Sequence, residues 1–192
     1  LGNAFAALGD TRKAIEFYEQ ALVIDRDIGD RRGEGTVLGN LGNAFAALGD
    51  TRKAIEFYEQ RIEIAREIGD RHGEGIALGN LGNAYADLGG ARKAIEFYEQ
   101  QLVIVREIGD RRSEGSALNN LGVAYANLGE ARKAIEFYEQ RIEIAREIGD
   151  RHGEGIALFN LGEAWHGLEE KNKPIDLVKQ ALVIFEAIES PK

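Results

Sequence analysis

The chain of 192 residues contains no cysteine, no methionine and only two prolines. Without cysteine there is no disulfide framework, no thiolate metal ligand and no cysteine nucleophile. It has no run of 18 apolar residues that would predict a membrane-spanning helix, and its start does not resemble a signal peptide. Because the sequence opens within a motif at Leu1, we expect a fragment of a longer protein. These absences leave a cytoplasmic location as the expectation.

Charge of one sign is not concentrated anywhere in the sequence. The formal net charge is −9, and acidic and basic residues are interleaved along the chain. Such a distribution does not attract a phosphate backbone, so we do not expect a nucleic-acid partner. Hydrophobic residues make up 44% of the chain, which is enough for a sizeable core.

A repeat organises the sequence. Related 20-residue segments start at Leu1, Leu41, Leu81, Leu121 and Leu161, which gives a period of 40 residues, and residues 1–20 are identical to residues 41–60. A fixed period of this size indicates one supersecondary unit stacked on copies of itself. We therefore predict a single repeat domain over residues 1–192, with a truncated unit 1–30 and full units 31–70, 71–110, 111–150 and 151–192.

Each unit has the pattern of two helices. Residues 31–48 and 51–68 carry apolar side chains at the i, i+3, i+4, i+7 spacing of an amphipathic helix. Gly49-Asp50 and Gly69-Asp70 follow these segments, and glycine suits a left-handed helix end whereas aspartate suits the next N-cap. The pattern predicts antiparallel neighbours, called helix A and helix B of a unit, and no strands.

The apolar positions of these helices resemble the tetratricopeptide repeat signature, in the same register in the second, third and fourth copies. In the second copy the matching residues are Leu38, Leu41, Gly42, Phe45, Ala54 and Tyr58. The resemblance implies an all-α, right-handed α-solenoid of about ten helices in antiparallel pairs, with the A helices lining a concave groove. The long period, without a proline that ends helix B, is similar to the subclass of Pins-type spindle adaptors. Arg61, Gln101 and Arg141 stand where the family often has a small residue.

The face of helix A beside the core stripe is the candidate binding surface that this resemblance implies. An asparagine amide both donates and accepts, so a row of asparagines can hold the backbone of an extended peptide. Gly39 and Gly79 are expected to leave room for that peptide. The alternative is that the asparagines only bond neighbouring helices. The candidate groove residues are Asn40, Asn43, Ile76, Asn80, Asn83, Asn119, Asn120, Asn127, Ile156, Phe159 and Asn160.

These patterns favour a non-enzymatic scaffold for protein–protein interaction. The groove positions Thr36, Ile76, Ser116 and Ile156 include no cation, so we expect a neutral or partly apolar peptide, anchored near Ile156 and Phe159. No catalytic constellation, cofactor motif or metal cluster is found. The alternative function is a structural or self-associating repeat array, natural or designed, with no groove ligand.

The last helix B is more apolar than the others. We therefore predict end-to-end association through Leu177, Val178, Leu182, Phe185 and Ile188. In the alternative, Phe185 folds over the open end and the chain is a monomer.

Overall fold

A computed structural model describes residues 1–168 and 173–189 of the chain. These residues form ten α-helices and no strand. The helices are α1 (Gly2–Ala7), α2 (Thr11–Ile28), α3 (Arg31–Ala47), α4 (Thr51–Glu67), α5 (Arg71–Asp87), α6 (Ala91–Glu107), α7 (Arg111–Asn127), α8 (Ala131–Glu147), α9 (Arg151–His166) and α10 (Lys173–Glu189).

The helices belong to two compact units, residues 1–104 and residues 105–192, and the boundary falls within α6. In the first unit, α1 packs on α2, α2 on α3, α3 on α4 and α4 on α5, and α3 also contacts α5. In the second unit, α7 packs on α8, α8 on α9 and α9 on α10, and α7 also contacts α9. Each unit is thus an α-solenoid of antiparallel helix pairs, as the repeat pattern predicts. The single repeat domain and its 40-residue boundaries stay a prediction.

The connections between helices use the predicted glycine and aspartate. Gly49 and Gly69 adopt left-handed φ values of 81° and 70°, which favour glycine. The Asp50 carboxylate then accepts a hydrogen bond from the Lys53 backbone N–H at 3.2 Å, and Asp70 accepts one from Gly73 at 3.0 Å. These bonds satisfy backbone donors that the first turn of a helix leaves free.

The core of each unit lies between its A and B helices. In the first unit Leu38 and Leu41 of α3 pack with Ala54 of α4, and all three are fully buried. Leu118, Leu121 and Ala134 are equally buried in the second unit. Burial of these apolar side chains is the main force that holds the pairs together.

A buried glutamate in the first turn of each complete helix A was not predicted from the sequence. Glu34 accepts a hydrogen bond from Arg26 Nε at 2.7 Å and also pairs with Arg31, which in turn pairs with Glu67. Burial by itself raises the pKa of Glu34, but the hydrogen bonds from Arg26 and Arg31 outweigh it and lower the pKa. The same double arginine contact recurs at Glu74, Glu114 and Glu154.

Candidate functional site

The predicted groove residues all lie on helix A faces that retain some solvent exposure. Ile156 and Phe159 of α9 are the apolar members with the most exposed surface, at 36% and 45%. This placement leaves the predicted face open to a ligand. In the first unit the candidates are Asn40, Asn43, Ile76, Asn80 and Asn83, and in the second unit they are Asn119, Asn120, Asn127, Ile156, Phe159 and Asn160.

The asparagines of the first unit bond to one another and to a buried tyrosine. The Tyr58 hydroxyl donates to Asn43 Oδ1 at 2.8 Å, and Asn80 Nδ2 donates to the same oxygen at 3.1 Å. We call Asn43, Tyr58 and Asn80 the first-unit corner. Because a carbonyl oxygen has two lone pairs, the corner fills the acceptor capacity of Asn43 and leaves its amide N–H groups for a ligand.

Related hydrogen bonds occur in the neighbouring copies. The Tyr18 hydroxyl donates to Asn3 Oδ1 and the Tyr98 hydroxyl donates to Asn83 Oδ1, both at 2.7 Å. Asn40 Nδ2 also approaches Asn3 Oδ1, at 3.5 Å. The asparagines therefore have the packing role that the sequence left open as the alternative, and the binding role stays a prediction.

The tyrosine of this corner lies directly beneath a glycine of helix A. A Cβ atom built on Gly42 would lie 2.6 Å from Tyr58 Cδ1, and one built on Gly82 would lie 2.6 Å from Tyr98 Cδ1. Such distances are impossible for a real side chain, so the glycine allows the tyrosine ring and the helix backbone to approach. The absence of a side chain at Gly42 and Gly82 is therefore needed for the contact between helices A and B.

The expectation for Gly39 and Gly79 was wrong. Both glycines are buried, and they accommodate a side chain of helix B instead of a ligand. A Cβ atom on Gly39 would lie 2.9 Å from Arg61 Cζ, and one on Gly79 would lie 2.5 Å from Gln101 Nε2. The glycines thus compensate for the long Arg61 and Gln101 at positions where the family often has a small residue.

The second unit has a different arrangement at the equivalent position. Val123 stands where Asn43 stands in the first unit, and a valine side chain cannot accept a hydrogen bond. In the part of the chain that the structure describes, the Tyr138 hydroxyl has no hydrogen-bond partner, although Tyr138 is only 2% exposed. Asn160 Nδ2 instead donates to Asn119 Oδ1, at 3.4 Å. We call Val123, Tyr138 and Asn160 the second-unit corner.

A pocket of about 390 Å³ opens at the second-unit corner. Its volume lies within the range of about 300–1,000 Å³ that is typical of small-ligand sites. The pocket is lined by Val123, Ala126 and Asn127 of α7, by Tyr138 of α8, and by Asn160, Glu163 and Ala164 of α9. Sequence reasoning missed this pocket, although the copy with valine in place of asparagine was a signal for it.

The predicted self-association residues of α10 divide into two groups. Val178 lies against α9, where a Cβ atom on Gly162 would be 3.1 Å from its Cγ2 atom, and Leu177 packs against the core. Phe185 also packs inward, with its ring centroid 5.9 Å from that of His152. Leu182 and Ile188 stay exposed, at 55% and 43%. The packing of Phe185 favours the capping alternative for this side chain, and self-association stays a prediction.

The described residues offer neither a metal-binding cluster nor a membrane-spanning helix. Residues 1–168 and 173–189 contain no group of three or more His, Cys, Asp or Glu side chains that could hold a metal ion. Within the same ranges, the helices are too short or too polar to cross a bilayer.

Comparison with protein families and solved structures gives consistent matches. The family model described as "Tetratricopeptide repeat" matches residues 1–67, 73–147 and 113–187. No curated protein sequence matches the chain. The crystal structure of BtubC from P. vanneervenii aligns with a TM-score of 0.91 and 23% identity, covering 100% of this chain and 80% of that chain.

Two further solved structures are similar. The signal transduction ATPase with a tetratricopeptide repeat sensor from Pyrococcus horikoshii aligns with a TM-score of 0.88 and 22% identity, covering 100% of this chain and 30% of that chain. YrrB, whose structure is described as a TPR protein with an unusual peptide-binding site, aligns with a TM-score of 0.68 and 18% identity, covering 95% of this chain and 82% of that chain. At these identities the likeness concerns the fold alone.

Proposed function

Because the chain belongs to the tetratricopeptide repeat family, as its sequence resemblance predicts, we propose that it is a non-enzymatic scaffold that binds a peptide or protein segment along its A helices. The observation that carries this proposal is the row of partly exposed amides on these helices, in which Asn43 keeps its N–H donors free of the Tyr58 bond. Amide groups of this kind can pair with the backbone of an extended segment. YrrB, a similar fold, is described as having a peptide-binding site.

The exposed apolar residues of α9 support a ligand that is neutral or partly apolar. Ile156 and Phe159 offer an anchor for an apolar side chain, and aromatic residues contribute strongly to interfaces. Thr36, Ile76 and Ser116 occupy the matching positions of α3, α5 and α7 and bring no positive charge. An acidic segment would therefore lose its hydration on this face without gaining an ion pair.

The second candidate function is a self-associating array without a groove ligand. Exposed apolar residues on α10 favour it, since Leu182, Val183 and Ile188 each leave more than two fifths of their surface in water. Apolar side chains that stay in water gain free energy when a second copy of the chain covers them. Light scattering over a hundredfold range of concentration, with the wild type and a Leu182→Glu variant, tests this function. A concentration-dependent mass that the variant lowers supports it, and an unchanged mass of one chain contradicts it.

A peptide array followed by NMR titration tests the scaffold function. Peptides that bind the wild type are titrated into ¹⁵N-labelled protein, and the same peptides are titrated into Phe159→Ala. We expect peptide binding to shift the resonances of α3, α5, α7 or α9, and the Phe159→Ala variant to bind at least about tenfold more weakly, which corresponds to about 1.4 kcal/mol.

The matched control is Val103→Ala, which truncates a more exposed apolar residue on a helix B. This variant should bind the peptides as the wild type does. Shifts confined to helix B resonances, or the absence of any binding peptide, would contradict the proposed function.

A further inference from the structure

The pocket at the second-unit corner contains a tyrosine hydroxyl that the described part of the protein leaves without a hydrogen-bond partner. The three other copies that carry this tyrosine have an asparagine fifteen residues before it, and there the tyrosine hydroxyl donates to the asparagine. At Tyr138 that residue is Val123, and in the described ranges the hydroxyl has no partner. Because the hydroxyl opens into the pocket, its oxygen can accept a hydrogen bond from a ligand.

The remaining polar groups of the pocket include several acceptors. Glu163 contributes a carboxylate, and Asn127 and Asn160 contribute side-chain amides, of which the Asn160 Nδ2 group already donates to Asn119. Within the described residues, no ion pair of Glu163 is found, and no Lys, Arg or His lines this pocket. The site is therefore negative in charge, and the net charge of −9 over the chain has the same sign.

The apolar groups of the pocket are small and lie at its sides. Val123 and Ala126 come from α7, and Ala164 comes from α9. They offer a short apolar wall beside the acceptors but no large aromatic surface other than the buried Tyr138 ring. A long side chain with an aliphatic stem and a charged donor at its end matches this distribution.

We propose that this pocket receives a basic side chain, arginine above all, from the segment bound by the A helices. The methylene stem lies along Val123 and Ala164, and the guanidinium donates to Glu163, to the amide oxygens and to the Tyr138 hydroxyl oxygen. A guanidinium carries five donors and no acceptor, which fits a pocket rich in acceptors. The inference rests on the proposed function and refines the neutral or partly apolar ligand at one position.

Other side chains fit the pocket less well. A carboxylate would be repelled by Glu163, since two like charges at close range destabilise each other. A purely apolar side chain would cover Tyr138 and leave its hydroxyl buried without a partner. The pocket therefore selects by charge and by hydrogen bonding, not by volume alone.

The test uses two small probes of similar shape, one with a charged guanidinium and one with a neutral ureido group. N-acetyl-arginine methylamide and its neutral isostere N-acetyl-citrulline methylamide are titrated into the ¹⁵N-labelled chain. We expect the arginine probe to shift the side-chain amide signals of Asn127 and Asn160 and to bind at least about fivefold more tightly than the citrulline probe. Equal affinities of the two probes, or shifts away from α7 and α9, would overturn the inference.

Three variants locate the binding. Glu163→Gln should lower the affinity for the arginine probe to that of the citrulline probe. Val123→Asn supplies the acceptor that the other copies have, so it should close the pocket and lower the affinity for the arginine probe at least fivefold. Glu143→Gln makes the same change of charge at an exposed position of α8 and should leave the affinity unchanged. Wild-type affinity in Val123→Asn, with an unchanged circular dichroism spectrum, would overturn the inference.

The outcomes also separate this inference from the proposed function. If peptides from the array bind the A helices without any preference for arginine, the arginine pocket is contradicted and the scaffold function is still supported. If the arginine probe binds at the pocket but no peptide binds the A helices, the scaffold function is contradicted and the arginine pocket is still supported.

Discussion

The first-unit corner and the second-unit corner share a tyrosine and an asparagine and differ in their third residue, Asn43 or Val123. In both, a glycine of helix A lies over a tyrosine ring of helix B, since Cβ atoms on Gly42 and Gly122 would lie 2.6 Å and 2.7 Å from Cδ1 of Tyr58 and Tyr138. Asn43 closes the first corner by accepting the tyrosine hydroxyl, whereas Val123 leaves the second corner open. The comparison shows that the contact between glycine and the tyrosine ring forms whether or not the neighbouring residue accepts the tyrosine hydroxyl.

The two units also differ in how they hold an arginine of helix B. Arg141 is buried and pairs with Asp150, the N-cap of α9. Arg61 is only partly buried, and in the part of the chain that the structure describes no ion pair of it with Asp70 is found. Burial lowers the pKa of Arg61 because it disfavours the charged guanidinium. Of these two arginines, only Arg141 forms an ion pair with the N-cap aspartate of the next helix in the described residues.

The largest expected effect concerns this arginine. Asp150→Asn should destabilise the protein by about 3 kcal/mol, since it leaves the buried Arg141 without its counter-charge. Asp70→Asn should cost less than about 1 kcal/mol, because asparagine still caps the helix and no ion pair is lost. Urea unfolding of both variants measures the two losses. Equal losses would mean that the Arg141 pair contributes nothing beyond the cap.

The Asp150 pair also predicts a dependence on pH. The hydrogen bond from Gly153 N–H and the Arg141 guanidinium hold the pKa of Asp150 below its ordinary value of 3.8. A lowered folded-state pKa contributes stability that is complete above the ordinary value and is lost as the pH falls through the lowered one. The difference in free energy of unfolding between the wild type and Asp150→Asn should therefore shrink below pH 3.8.

The next prediction tests what the two corners share. Gly42→Leu and Gly122→Leu should each destabilise by about 1–3 kcal/mol, because the new side chain overlaps the tyrosine ring. Thr36→Leu and Ser116→Leu, at exposed positions of the same helices, are the controls and should have little effect. A clearly smaller loss for Gly122→Leu would show that the Tyr138 ring, without an asparagine partner, moves aside.

Exchanging the residues that differ tests the comparison directly. Asn43→Val should cost about 1–3 kcal/mol, since it leaves the buried Tyr58 hydroxyl and the Asn80 amide without their acceptor. Val123→Asn should be neutral or stabilise the protein by up to about 1 kcal/mol, because it gives Tyr138 an acceptor. Thermal unfolding checks both variants. A gain in stability for Asn43→Val, or a clear loss for Val123→Asn, would contradict the assignment of the asparagine bond as stabilising.

The smallest effect is expected for removal of the hydroxyl groups. Tyr58→Phe should cost about 1 kcal/mol because it removes a formed hydrogen bond, whereas Tyr138→Phe should be close to neutral because no bond is lost. Both variants keep the ring that packs beneath the glycine. Chemical denaturation curves with equal slopes give the comparison, and an equal loss at both positions would mean that Tyr138 has an acceptor in solution.

The fold could be predicted from the sequence because its signals are local. Gly49-Asp50 and the apolar stripes of residues 31–48 and 51–68 determine where each helix ends and which face is buried, and the helix bounds agree to within one residue. The repeat then extends these signals to every copy. The 40-residue period alone was enough to predict that the copies stack on one another.

The roles of the asparagines and glycines could not be predicted in the same way. Asn43 and Tyr58 lie on different helices, and their contact depends on how the helices rotate about their axes when they pack. The burial of Gly79 depends on the length of Gln101, a side chain of the neighbouring helix. The Pins-type subclass also stays a prediction.

The buried glutamates have a consequence for how each unit unfolds. Glu154 of α9 is held by Arg151 of its own helix and by Arg146 of the preceding helix B. If α8 detaches, the Glu154 carboxylate loses the ion pair with Arg146 and keeps only the one with Arg151. Detachment of α8 therefore costs the protein one ion pair for Glu154. We expect these contacts to oppose independent fraying of a helix pair.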